Sequence, residues 1–156
     1  MQIILSVDVR IDERKCLELV RSDRFWTYAA YEWHRLYKDY VPMQSGALYN
    51  NVTIAPKTIT HNVPYAHYVY MGQVYGPNMP IYEGDNLAGF FSQPNRRKKP
   101  TGKSLQYSKQ LHPKASAKWD MAAEPTQKPK LIQTLQSYVD SGGPPGAAGL
   151  RRLGRT

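Results

Sequence analysis

Few side chains in this sequence have the means to do chemistry, and their spacing limits what they can do. His61 and His67 flank the turn at Pro64 and can approach each other, but the segment between them holds no acid to complete a metal site. Asp8, Asp12 and Glu13 cluster at the end of an opening strand, where some nucleases hold Mg²⁺; capping the following helix is the simpler role for them. His34 has no metal-ligating residue one helical turn away. Cys16, set among Leu17, Leu19 and Val20, reads as a small buried apolar residue, and as the only cysteine it cannot form an intramolecular disulfide. The sequence contains no phosphate-binding loop, dinucleotide fingerprint, Gly-x-Ser-x-Gly elbow, paired-cysteine site or His-Glu-x-x-His helix. The expectation is a protein with no catalytic residues, no bound metal and no cofactor, hence not an enzyme.

Charge is the stronger signal. The 156 residues carry a formal net charge of +9, but residues 1–85 and 120–140 each sum to −1. The excess lies in residues 86–119, which hold Arg96, Arg97, Lys98, Lys99, Lys103, Lys109, Lys114 and Lys118 and no acid, and in a tail with Arg151, Arg152 and Arg155. Basic appendages on a near-neutral core suit a polyanion, because neutralising phosphates needs no exact geometry. Solvated loops kept soluble by charge are the plainer explanation. Twelve tyrosines against three phenylalanines favour half-wet surfaces, where the ring is buried and the hydroxyl stays hydrated. The N-terminal residues lack the basic lead and apolar run of a signal peptide, and no segment is apolar enough to span a bilayer, so a reducing cytoplasm and no membrane partner are expected.

These residues must be positioned by a small number of elements. Ile3, Leu5, Val7 and Val9 alternate with polar residues as an opening strand, Ile4 being the exception. Asp12 can cap a first helix, and a break near residues 21–23 lets Ser22 or Asp23 cap a second. That second helix has the clearest period: Trp26, Ala29, Ala30, Trp33, Leu36, Tyr37 and Tyr40 form one stripe, with Glu32, Arg35 and Asp39 on a side that is solvated or meets a neighbouring subunit. Pro42 ends it and Gly46 permits a turn. Leu48, Val52 and Ile54 then share one face of an extended segment, Ala55-Pro56-Lys57-Thr58 turns it, and Ile59 and Val63 return it as a hairpin. Residues 65–71 make two helical turns closed by Gly72 in the left-handed conformation.

Residues 73–113 lose all periodicity to repeated Gly and Pro. They read as an extended arm with brief strands at 87–91 and 104–107, aromatic docking positions, and the basic cluster at its tip. Helical pattern resumes with Ala115, Trp119, Ala122 and Ala123, is interrupted at Glu124-Pro125, and ends in a three-turn helix carrying Leu131, Ile132, Leu135, Tyr138 and Val139. Trp26, Trp33 and Trp119 are the expected core anchors. The expected organisation is one domain over 1–141, including the arm, and a flexible Gly/Pro-rich basic tail over 142–156. The fold class is α+β, with helices packed on one face of a small, mainly antiparallel sheet.

Tyr40-Val41-Pro42-Met43 with Ser45-Gly46-Ala47-Leu48, then Val63-Pro64-Tyr65-Ala66 with Tyr70 and Gly72, then Trp119-Asp120, resemble the minor capsid and neck proteins of tailed bacteriophages, in the head–tail joining and tail-completion group. The resemblance spans roughly residues 25–139, and the long arm and basic tail depart from the group's shorter members. It implies a non-enzymatic α+β subunit of the virion neck, assembled in the bacterial cytoplasm. Such a subunit forms a hexameric or dodecameric ring between portal or adaptor and tail-terminator proteins and leaves a passage for DNA. On that basis Tyr65, Tyr68, Tyr70, Tyr75, Tyr82, Phe90 and Phe91 are candidate subunit contacts. Arg96, Arg97, Lys98, Lys99, Lys103, Arg151, Arg152 and Arg155 are candidates to face DNA, weakly and without reading bases. The competing expectation is a stand-alone, non-specific nucleic-acid-binding module.

Overall fold

The computed structural model describes residues 1–7 and 14–144. The expected helix cap at Asp12, the carboxylates Asp8 and Glu13, strand residue Val9 and the tail arginines Arg151, Arg152 and Arg155 lie outside the described residues.

The fold is α+β. Strand β1 (Gln2–Ile4) precedes helices α1 (Arg14–Arg21) and α2 (Asp23–Leu36). A 3-10 turn (Lys38–Tyr40) and the one-turn helix α3 (Ala47–Asn50) lead into the hairpin of β2 (Val52–Ala55) and β3 (Thr58–His61). The three strands form an antiparallel sheet in the order β1-β3-β2. Alternation explains the burial: Ile3 pairs with Ile59 on the inner face, while the exceptional Ile4 points outward and is 75% exposed. The hairpin loop has Pro56 at its first position and Lys57 at φ 59° in its second, where a type II turn demands a left-handed residue. Lys57 is held there by neighbours. Its carbonyl accepts from the Leu5 amide (2.8 Å), and its ammonium lies 4.2 Å from the centre of the Trp26 ring.

Helix α2 is capped by Ser22, whose hydroxyl accepts from the Phe25 amide. Its buried stripe is Phe25, Ala29, Ala30 and Trp33, continued by Tyr37. Phe25 therefore takes the innermost position and Trp26 is half-buried beside it, the two rings meeting edge-to-face at 5.2 Å. Glu32, expected on a solvated or subunit-facing side, is buried within the chain; the Arg35 guanidinium covers it and donates two hydrogen bonds to Oε2 (3.1 and 2.6 Å).

Three other expectations are corrected. Leu48 belongs to a turn of helix and not to a strand: Gly46 at φ 81° reverses the chain and its carbonyl accepts from the Asn50 amide, so Leu48 reaches the core from α3. Pro125 does not interrupt the last helix. α5 (Trp119–Ser141) runs unbroken through Pro125 and Pro129, because Trp119 and Ala123 anchor it before the prolines and Leu131, Leu135, Tyr138 and Val139 after them, all buried. Both prolines are exposed. Residues 73–113 are also more regular than their composition suggests. After α4 (Ala66–Met71), capped by Gly72 at φ 70°, β4 (Gln73–Gly76) pairs with β7 (Lys99–Ser104). Between these in sequence, β5 (Met79–Glu83) pairs with β6 (Asn86–Phe91). The expected strand at 104–107 thus lies earlier, at Lys99–Ser104.

The helices cover one face of the three-stranded sheet. α2 packs on β2, β3 and α5, and the core between them contains Trp33, Tyr37, Ile59, Trp119 and Leu131. Gly142, at φ 71°, closes α5 with its amide directed at the Tyr138 and Val139 carbonyls.

Candidate interaction surface

Three carbonyls of the segment 41–49, which leads through the turn into α3, are satisfied by buried histidines: one from α2, one from β3 and one from the loop before α5. His112 Nδ1 donates to the Val41 carbonyl (2.7 Å), His61 Nδ1 to Leu48 (2.7 Å) and His34 Nε2 to Tyr49 (3.0 Å). A carbonyl can only accept, so His61 carries its proton on Nδ1, and its Nε2 accepts from the Tyr37 hydroxyl at 3.0 Å. Burial lowers the pKa of His61 and pushes His34 down to about 4, so both rings are neutral. Burial, followed by the Asp120 carboxylate, holds the Tyr37 hydroxyl well above its ordinary value, so it stays a donor. His34 stacks flat on Tyr49, with centroids 4.2 Å apart.

His61 is therefore a neighbour of Tyr37, His34 and Trp119, while the exposed His67 sits beside Tyr68 and Tyr75. The structure does not bring the two histidines together. Among the described residues no group of three or more His, Cys, Asp or Glu side chains could hold a metal, and no helix is long and apolar enough to cross a membrane. A groove of about 700 Å³ runs beside the stapled segment, lined by Met43, Leu48, Tyr65, Val69, Leu105 and Leu111 among others. No carboxylate, imidazole or amine lines it. Its lining mixes these apolar side chains with Gln44, Ser45, Gln106, Tyr107, Ser108 and Gln110.

The aromatic candidates divide into two groups. Tyr70 turns inward against Trp119 (5.0 Å, edge-to-face), where burial raises its hydroxyl pKa. Tyr75 is half-buried against Tyr68 (4.8 Å). Tyr65, Tyr68, Tyr82, Phe90 and Phe91 are exposed. Of the described basic candidates, Arg96, Arg97, Lys99 and Lys103 are exposed, and the Lys98 ammonium donates to Asn78 Oδ1 at 2.8 Å. Trp33 and Trp119 are buried in the core.

Sequence reasoning missed the histidine staples and the exposed apolar residues Met79, Ile81 and Leu87. The hydrophobicity of residues 79–91 was readable, but their pairing as a hairpin was hidden by Pro80, Gly84 and Gly89. Comparison with protein-family models, curated proteins and solved structures finds no match to this chain.

Proposed function

We propose that this chain is a structural subunit of a tailed-phage head–tail connector, assembling with copies of itself and with portal, adaptor or tail-terminator proteins around a passage for DNA. The observation that carries this reading is the concentration of large apolar side chains on an uncovered hairpin, with Tyr82 at 61% and Phe90 at 65% exposure. Such a patch on a small protein marks a surface meant for another macromolecule. The motif order that resembles neck proteins supports the phage assignment, with the stapled segment 41–49, the α4 region and Trp119-Asp120 adjoining in one core.

The test is assembly. Purified protein, alone and with the other virion components, is followed by sedimentation, and the particle is imaged at the vertex where the tail attaches. A symmetric oligomer and density at the neck are expected. A protein that stays monomeric in every mixture, or is missing from that vertex, refutes the reading. The exposed cations Arg96, Arg97, Lys99 and Lys103 support a second reading, a non-specific nucleic-acid-binding module. It requires DNA binding by the monomer at physiological salt, weakened and with a flatter salt slope after alanine substitution at these positions. A metal-dependent nuclease assay separates both from an enzyme.

A further inference from the structure

We propose that the β5–β6 hairpin is the contact between neighbouring copies of this chain, with the acidic tip of one hairpin seated on the basic root of the next. The inference rests on the connector-ring reading and names the element that makes the ring.

The hairpin is apolar on both faces. Its register puts Met79 with Phe91 and Ile81 with Gly89 on one face, and Pro80 with Phe90 and Tyr82 with Leu87 on the other. The register shift between Ile81 and Tyr82 brings Leu87 beside Tyr82 instead of Glu83. All six large side chains are between 46% and 65% exposed. A strand pair with one wet face alternates apolar and polar residues, whereas one apolar on both sides is suited to being covered on both. The six side chains offer about 600 Å² of uncovered surface, approaching the roughly 800 Å² that each partner contributes to a stable interface.

The charge pattern selects the occupant. From residue 79 to residue 95 the only charges are Glu83 and Asp85, at the two-residue loop where Gly84 takes φ 62°. The next eight residues carry Arg96, Arg97, Lys98, Lys99 and Lys103 and no acid. This basic stretch is tied to the start of the hairpin: Lys98 donates to Asn78, and Gln93 Nε2 donates to Met79 Sδ. Tip and root are therefore separated by about 15 Å of strand. Two identical hairpins side by side in register would place acid against acid and base against base. Staggered so that the tip of one approaches the root of the next, the pair brings opposite charges toward each other while the apolar strands still overlap over part of their length. Repeated around an axis, such a heterologous contact closes into a ring.

The experiment uses the full chain and follows assembly by sedimentation as a function of concentration and salt. E83R/D85R and R96E/R97E are each expected to raise the concentration of half-association about tenfold at low salt. Y82S/F90S abolishes assembly with an unchanged melting temperature, since both residues lie outside the core. If E83R/D85R assembles like the parent chain, the hairpin inference falls and the ring reading stands. If R96E/R97E loses DNA retention but assembles normally, the root belongs to nucleic acid and the inference also falls. A parent chain that never associates, even with its virion partners, overturns both.

Discussion

Acid should loosen this protein through His34, and the size of the effect follows from its surroundings. The ring is buried, its Nε2 hydrogen donates to the Tyr49 carbonyl, and its neighbours include His61, 6.2 Å away between ring centres, and Tyr49, over which the Lys38 ammonium lies. Its pKa is lowered from 6.5 to about 4, mainly by burial and to a smaller degree by His61, with the bond to Tyr49 opposing the shift. The neutral form is thus the one the fold accepts. The stabilisation is full above the unfolded pKa, is lost as pH falls from about 6.5 toward about 4, and changes no further below that. Between pH 7.5 and 4.5 the loss amounts to about 2 kcal/mol after allowance for partial screening, equivalent to roughly 6–8 °C in melting temperature. His61, also shifted down by burial, adds to the slope in the same direction. The assay is urea unfolding at a series of pH values for the parent chain and H34Q. Glutamine keeps an N–H able to reach the Tyr49 carbonyl but does not titrate. H34Q should lose about 2 kcal/mol less over the same interval. Identical pH profiles for the two proteins would refute the assignment of a buried neutral imidazole.

Other perturbations test the fold independently. G72A should cost about 2 kcal/mol or more by chemical denaturation, because φ is 70° and the new Cβ would stand 2.6 Å from that of Ala117. G89A, where a Cβ meets nothing within 4 Å, should shift stability by less than about 1 kcal/mol. P125A should stabilise the isolated chain by about 1–3 kcal/mol, restoring an amide to the α5 ladder at an exposed site; unchanged thermal unfolding would show that the helix does not carry the expected proline cost. Y37F keeps the packing but leaves His61 Nε2 without its donor, and should cost about 1–2 kcal/mol in the same melts.

The exposed prolines and the doubly apolar hairpin bear on the same issue. Pro125 and Pro129 sit where an isolated monomer gains nothing from them, and the hairpin side chains would be better polar in a protein that worked alone. Both features are costs to the isolated chain, and the proposed assembly would account for them.

Much of the architecture could be read locally. The α2 stripe, the Ser22 cap, the turn at Pro56-Lys57 and the Gly72 closure follow from helical period, capping chemistry and backbone sterics, which act over a few residues and are written in those residues. The same local rules misplaced Leu48 and broke α5 at Pro125, because there the deciding contacts come from afar. The buried anchors on both sides of the prolines outweigh the lost hydrogen bonds, and that gain depends on α2 and the sheet being present. The staples are the clearest case: His112 meets Val41 across 71 residues, and no periodicity links the two. Charge and aromatic content set residues 73–113 apart from the rest of the chain in the sequence, but not as paired strands. Only the strand register showed that Glu83 and Asp85 form one end of a hairpin, with Arg96 and Arg97 beyond the other, since pairing depends on cross-strand partners that composition does not encode.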